Sequence, residues 1–493
     1  MRVSGDRRVR VRIAPSPTGY LHVGNVRAAL FNWLFARRHG GVFIIRIDDT
    51  DRARSDDHYI EDVVSGFRWL GLDWDEGVEV GGPHGTYRQS DRFDRYREVA
   101  DRLIDMGRAY HDFRSAEEME ELRARARAEK KPPGYYVRRP AGSDPDTARR
   151  RLRAGEGAVV RFSNPGRAVG FTDVVRGEVR FEAEAIDDFV ILRSDGSPTY
   201  HLASTVDDID YGITHVARGE DLLSSTPKHI LITEALGGKR PVYAHLPLLF
   251  GHDGRKLSKR HGDTSLRAYR EGGYLPEAVF NYMGLLGWSL DPDNEVFGRE
   301  EAIAAFDLAD VQKSPAVFDP DKLGWMNGVY MRLMATGRFT DLAVASVEED
   351  LGRDLDGDER SRLAGLAPLI QERAKLTTDI GPAARFLFSD ITYDDKAWRK
   401  VMKADARRAL AAARRMLEDV GDWNAANIEK ALRGMLAAES LNPRKGWQPI
   451  RVAITGSNIS PPLFESLEAL PREVALARIA AAIARLDLQA GAG

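Results

Sequence analysis

The sequence predicts an α/β fold in which a parallel sheet is built in two halves, with a mixed α+β segment inserted between them and an all-helical region closing the chain. Three observations predict it. RVRVRI and VFII bracket an amphipathic stretch near the start, which is the pattern of a strand–helix–strand unit. Between about Tyr110 and Tyr200 the text becomes highly charged and is broken by prolines, and only afterwards do strand and helix patterns resume. Beyond about Lys322 strand signals vanish.

Val9, Val11 and Ile13 alternate with arginines as in a strand, and Ala14-Pro15-Ser16-Pro17-Thr18-Gly19 then forbids both helix and ladder. From Gly24 on, Val26, Leu30, Trp33 and Leu34 make an apolar helical face, and Gly40-Gly41 supplies a left-handed stop. Val42-Phe43-Ile44-Ile45 is apolar throughout, as in a parallel strand covered on both faces, and leads into Asp48, Asp49 and Asp51. Residues 59–70 read as a helix, and Ser90 as the cap of another carrying Phe93, Tyr96, Ala100, Leu103 and Ile104, ended by Gly107. In the inserted segment residues 117–131 form a charged helix, FTDVVRGEVRF suggests a hairpin turning at Arg176-Gly177, and FVILRSDGSPTYHLAS suggests another turning at Asp195-Gly196. A strand over 213–217 follows; Thr226-Pro227 caps and opens a helix closed by Gly237-Gly238, and 242–250 leads to a basic loop. In the last third, Leu410 with Leu417, then Ile428, Leu432, Met435 and Leu436, then Val474, Ile479, Ile483 and Leu486, mark helices.

At 493 residues the chain is too long for one core. With 43% hydrophobic and 30% charged residues it reads as an ordinary globular protein, and it has no run of 18 apolar residues and no signal-peptide pattern. No membrane partner is expected. The absence of cysteine excludes disulfides and thiolate metal sites and fits a cytoplasmic location. A net charge of −3 gives no global nucleic-acid signal, so any nucleic-acid surface must be a local basic face.

The loop before the first helix holds His22 and Gly24 but neither GxGxxG nor the lysine of a P-loop, which disfavours those two nucleotide sites. A lysine pair stands far away, in Lys256-Leu257-Ser258-Lys259-Arg260 after His252-Asp253-Gly254. PSPTGYLHVGN early and KLSKR late resemble the two signature sequences of class I aminoacyl-tRNA synthetases, and RIAPSPTG, RIDDTD and VARGEDL narrow the resemblance to glutamyl-tRNA synthetase, over essentially the whole chain. The resemblance implies a split Rossmann-type parallel-sheet catalytic domain (1–92 and 199–238) with an inserted α+β acceptor-end-binding domain (93–198). It further implies a KLSKR-loop and stem-contact domain (239–330) and an all-α anticodon-binding module (331–493). ATP with Mg2+ is the implied cofactor, tRNA and L-glutamate are the implied partners, and the chain is expected to act as a monomer. Some members carry a Cys-rich zinc knot in the insertion; Tyr110-His111-Asp112-Phe113 stands there in this chain, so no zinc or other protein-bound metal is expected.

By the same resemblance His22, Lys256 and Lys259 are catalytic, and His22, Gly24, Asp221, Leu249, Lys256, Ser258 and Lys259 bind ATP. His22 can donate to a phosphate, Gly24 lets adenine approach, and the lysines meet pyrophosphate. Taken singly, His22 reads rather as a helix cap or packing residue and KLSKR as a solvated basic turn, and Leu249 reads equally as core; the two motifs together, in order, reverse the first two. Glutamate is expected at Arg12, Ala14, Ser16, Asp48, Tyr200, Ser204 and Arg218. Asp48 suits an ammonium, while Arg12 and Arg218 suit carboxylates, which match the guanidinium fork. Arg218 is the residue expected to favour glutamate over glutamine, against the plain reading of a surface ion pair with Glu220 or Asp221. Two positions depart from the family pattern: Asp48 replaces a usual glutamate, and Ser204 stands where some members have a larger polar residue. Arg373 is a candidate anticodon reader, and Trp398, Trp423 and Trp447 are read as core rather than as base-stacking platforms. Glutaminyl-tRNA synthetase is the nearest rival, disfavoured by Arg218 and by the helical last third. A catalytically inactive nucleotide-binding paralogue would have eroded HVGN or KLSKR, and both are intact.

Overall fold

In the computed structural model the residues described are 8–132, 134–141, 143–258, 260, 263–458 and 460–491. The chain divides into two compact units, one running to Tyr269 and resuming over Val279–Pro320, the other made of Arg270–Ala278 and the chain from Asp321 onward.

The first unit opens with β1 (Arg10–Ile13), α1 (Val23–Arg38) and β2 (Val42–Ile45), and β1 pairs with β2 in parallel. The turn between α1 and β2 uses Gly40 at φ +55°, and Gly41 lies so near Val9 that a Cβ would stand 2.6 Å from its carbonyl oxygen. α2 (Asp57–Trp69) leads to the short β3 (Glu76–Gly77), which completes this sheet beside β2. After α3 (Phe93–Asp105) come β4 (Ala109–Asp112), α4 (Ala116–Ala128), α5 (Pro145–Arg153) and β5 (Val159–Phe162). β4, β5 and β8 (Val190–Leu192) form a separate antiparallel sheet.

The hairpin of β6 (Val169–Asp173) and β7 (Gly177–Phe181) turns where the sequence indicates; although it lies in the segment read as inserted, it does not pair with the β4–β5–β8 sheet. Following α6 (Tyr200–Asp210), β9 (His215–Gly219), α7 (Thr226–Ala235) and β10 (Val242–Leu246), the second sheet runs β7-β6-β10-β9, with β6 parallel to β10. The reason is tertiary. Val169 is buried in the core that also holds Ile213, Val216 and Tyr243, and Val174 N–H donates to Tyr243 O at 2.8 Å. The two sheets abut where Thr214 N–H donates to Arg10 O at 2.9 Å.

Three local readings are corrected. Ser90 caps no helix; its N–H and hydroxyl both donate to Asp49, at 2.7 Å each. The Asp195-Gly196 turn forms, but its second arm makes a single bridge at Pro198 and then coils into α6. Thr226 opens α7 without capping it, because its hydroxyl is taken by Arg218, from which it accepts at 2.9 Å.

Among the described residues of the second unit there is no strand, and no helix is long and apolar enough to cross a membrane. Leu410 and Leu417 lie on Ala404–Glu418, Ile428 and Leu432 on Ala425–Ala438, and Ile479 on Arg472–Gly491, all buried in one core. The helix Gly357–Gln371 starts in a capping box. Glu359 N–H donates to Asp356 at 2.8 Å, Glu359 returns an oxygen to Asp356 N–H at 3.1 Å, and Arg353 closes a fork on Glu359 at 2.7 and 2.8 Å. The Arg353 hydrogen bonds hold the Glu359 carboxyl down to about 2. A depressed carboxyl favours the fold above its unfolded pKa and loses that contribution as pH falls through the folded one. Glu359→Gln is therefore expected to lower stability by about 1–2 kcal/mol at pH 7. Denaturant melts at pH 7 and pH 3 should show that difference shrinking at the lower pH.

Candidate active site

A cavity of about 640 Å³ opens beyond the carboxyl ends of β1, β2, β9 and β10, at the mouth of α1. Every described residue that the sequence assigns to ATP or glutamate lines it: Arg12, Ala14, Ser16, His22, Gly24, Asp48, Tyr200, Ser204, Arg218, Asp221, Leu249, Lys256 and Ser258. Lys259 lies outside the described residues. The backbone explains the convergence. Asp48 N–H donates to Pro15 O at 3.1 Å, which ties the PSP loop to the end of β2, and Val23 N–H donates to Thr264 O at 3.0 Å, which brings the chain just past KLSKR to the start of α1.

At the nucleotide end, His22 is both the N-cap of α1 and a cavity-lining residue, so the two readings of it are compatible. Its Nδ1 accepts from Gly24 N–H at 3.0 Å, and the neutral ring therefore carries its proton on Nε2 as a donor. Burial, and then the charge of Lys256, lower its pKa. A Cβ on Gly24 would stand 3.3 Å from Nδ1 and crowd the ring. Lys256 Nζ pairs with Asp221 at 3.3 Å. Leu249 is buried on β11 (Leu249–Phe250), which pairs with β12 (Ala316–Val317).

The other end holds a buried acid–arginine cluster. Arg46, fully buried, donates to both oxygens of Asp48 at 2.6 and 3.1 Å, to Asp208 at 2.7 Å and to Ser204 Oγ at 3.0 Å, and lies 3.6 Å from Asp207. Arg12 grips Asp208 through Nε and one terminal nitrogen at 3.0 and 3.2 Å, so only its other terminal nitrogen is without a partner among the described residues. Burial raises the Asp48 carboxyl despite Arg46, and pushes Asp207 up to about 6. Burial acts against Asp208 as well, but Arg12 and Arg46 outweigh it and the net shift is downward. Tyr200, Ser204 and Asp208 recur every fourth residue along α6, which puts them on one face.

Arg218 differs. It is 5% exposed, and among the described residues it has no carboxylate partner, which corrects the ion-pair reading. Glu220 is held instead by Arg176 and Leu248 N–H. The guanidinium donates to neutral groups: Tyr200 Oη at 2.9 Å, Thr226 Oγ1 at 2.9 Å, His245 Nε2 at 3.2 Å, Leu222 O at 3.3 Å and His229 Nδ1 at 3.4 Å. Burial and the nearby arginine hold the His229 pKa well below its usual value. The result is a buried cation at a cavity wall with no counter-charge among the described residues, a state that favours an anionic ligand.

Sequence reasoning missed Arg46, Asp207, Asp208, Thr226, His245 and Arg27. The last is buried on α1 and lines the cavity, donates to Pro247 O and to Leu286 O, and has no partner for its Nε among the described residues. The spacing of α6 could have revealed Asp208, since it continues Tyr200 and Ser204 by one further turn.

In the helical unit Arg373 is exposed, with one N–H on Ser460 O at 3.0 Å, beside Arg451. Trp398 and Trp423 are anchored in the core through indole bonds to Gln489 and to the carbonyls of Leu467 and Leu470. Trp447 packs edge-on against Phe464 beneath Arg433.

The family model for the class I tRNA synthetase catalytic domain (E and Q) matches residues 8–325, and that of an anticodon binding domain matches residues 338–483. A glutamate–tRNA ligase of Rubrobacter xylanophilus is 46% identical over 98% of this chain and 99% of its own length, and one of Streptomyces coelicolor is 44% identical over 97% and 98%. Among solved structures, a glutamate tRNA ligase of Elizabethkingia meningosepticum in complex with its amino acid superposes with a TM-score of 0.85 at 33% identity, covering 97% of this chain and 100% of that one. With both family models matched in order and full-length similarity at this level, the chain belongs to the glutamate–tRNA ligases, the glutamyl branch of the class I tRNA synthetases.

Proposed function

We propose that this chain joins L-glutamate to the 3′ end of tRNA(Glu) in two steps. The glutamate α-carboxylate attacks the α-phosphorus of ATP, forming glutamyl adenylate and releasing pyrophosphate; a hydroxyl of the terminal ribose then takes the acyl group and AMP leaves. Neither step needs a covalent enzyme nucleophile, so catalysis comes from positioning and from cations set where charge grows. Magnesium arrives with ATP as a counter-ion of its phosphates.

The roles are those the family resemblance implies, and the shared cavity supports them. His22 donates from Nε2 to a phosphate oxygen at the helix mouth, where the dipole of α1 adds to the attraction. Lys256 and Ser258 stabilise pyrophosphate together with Lys259 of the same motif, Asp221 serves the ribose, and Gly24 and Leu249 border adenine. Arg12, Ala14, Ser16, Asp48, Tyr200 and Ser204 surround glutamate, and Arg218 takes a carboxylate. The observation that carries this reading is Arg218, a buried guanidinium in the cavity wall that lacks a counter-ion among the described residues, whereas Arg12 and Arg46 are already neutralised by aspartates. A glutaminyl reading would leave that charge unmatched.

In the same reading the enzyme is a cytoplasmic monomer, residues 93–198 hold the acceptor end and residues 239–330 contact the stem. The helices of 331–493 read the anticodon, Arg373 among their candidates. The test is charging by the purified chain, with ATP, of separate tRNA(Glu) and tRNA(Gln) using labelled glutamate or glutamine. Glutamate-dependent charging of tRNA(Glu) is expected. Charging with glutamine alone, or ATP binding without charging, would overturn it.

A further inference from the structure

We propose that Asp173 and His245 form a positioning pair that holds the Arg218 guanidinium in register for the substrate carboxylate, so that a residue of the β6–β7 hairpin sets the preference for glutamate. The inference rests on the reading of Arg218 given above.

The chain of contacts fixes its own polarity. Arginine can only donate, so His245 Nε2 must accept from Arg218 Nε at 3.2 Å. The His245 proton then sits on Nδ1 and is donated to Asp173 Oδ2 at 2.6 Å. A carboxylate selects the tautomer of an imidazole, and the imidazole presents a lone pair to a cation. All three side chains are at most 5% exposed. Burial also keeps His245 on the neutral side, which preserves that lone pair.

The arrangement has a front and a back. Tyr200 and Leu222 line the cavity with Arg218, whereas His245, Thr226 and His229 do not. The bonds from Nε to His245 and from a terminal nitrogen to Thr226 at 2.9 Å therefore grip the guanidinium from behind. The contact to Leu222 O, at 3.3 Å on the cavity side, is the weaker one that a carboxylate would displace. Thr226 Oγ1 also lies 3.0 Å from His245 Nε2, so one imidazole lone pair orders both.

Asp173 provides the test. Its Oδ1 accepts from Val175, Arg176 and His245 N–H groups at 3.0, 2.9 and 3.1 Å, which shapes the hairpin turn, while Oδ2 faces the imidazole at 2.6 Å and shares the His245 N–H at 3.1 Å. Asp173→Asn retains the first oxygen and puts an amide NH2 opposite Nδ1. That reverses the tautomer and turns an N–H of His245 toward Arg218. Glutamate KM in tRNA charging is expected to rise about tenfold to a hundredfold, the scale of a hydrogen bond to a charged group. ATP KM should stay within about twofold, and the ratio of glutamate to glutamine use should fall. His245→Gln, which can accept from Arg218 and donate to Asp173, should stay near wild type, and His245→Leu should follow Asp173→Asn. Unchanged glutamate KM in Asp173→Asn, or equal rises for glutamate and ATP, would overturn the pair as a positioning device. If Arg218→Ala itself left glutamate KM unchanged, the reading of Arg218 would fall and this inference with it. A rise in Arg218→Ala alone would remove only the inference.

Discussion

Arg46→Met is expected to destabilise the fold by about 3–5 kcal/mol, the range for removing one partner of a buried ion cluster. Methionine fills much of the space left by the arginine stem, so packing changes little and the charge change dominates. Among the described residues, Asp48, Asp207 and Asp208 would then share only Arg12 and Arg92 as nearby cations, and Asp48 would lose the donors on both its oxygens. The loss should depend on pH in a definite sense. Asp207 already titrates at about 6, above the usual carboxyl range, because of burial. A raised carboxyl favours the fold below its unfolded pKa and loses that contribution as pH rises through the folded one. Without Arg46 these folded pKa values climb further, so the deficit relative to wild type should be largest above pH 7 and shrink toward pH 5. Denaturant melts at pH 5, 7 and 8 measure it. Wild-type stability at pH 8 would show that the cluster does not depend on Arg46.

That residue also marks where the sequence stops being legible. β1, the PSPTG loop, α1 and β2 follow from local rules, since alternation, proline and a glycine stop each act within a few residues. The two signature motifs likewise point to one cavity, and all their described site residues meet there. Arg46, by contrast, reads as the polar end of an apolar strand; only the fold brings Asp207 and Asp208, some 160 positions on, against it. Ser90 and Thr226 show the same limit at finer scale. A hydroxyl before a helix is a capping signal, yet each was captured by a tertiary partner, Asp49 in one case and Arg218 in the other.

The β6–β7 hairpin gives the clearest case. A hairpin satisfies its own inner ladder, so its turn was visible, but which strand its outer edge joins is decided by non-local burial. Pairing with β10 places Asp173 beside His245 and thus behind Arg218. No pattern within the hairpin announces that connection.

Arg218→Ala is expected to leave the fold largely intact and to reduce kcat/KM for glutamate by about a thousandfold, the upper range for truncating a buried, hydrogen-bonded charge at a binding site. The contrast with Arg46 follows from the neighbours. Removing Arg46 strands Asp48 and weakens the pairing of Asp207 and Asp208, whereas removing Arg218 strands only neutral acceptors that water from the adjoining cavity can reach. Glutamine makes no comparable demand on the cation, so its poor kcat/KM should change by less than about tenfold and the preference should narrow sharply. Arg218→Lys should restore little, since a point charge cannot satisfy Tyr200, Thr226 and His245 while also forking onto a carboxylate. Steady-state charging with each amino acid, alongside ATP KM and a thermal melt, separates the outcomes. Glutamate kcat/KM within about threefold of wild type would exclude Arg218 as the carboxylate reader, whereas equal losses for glutamate and glutamine would make it a general support of the site rather than the source of its selectivity.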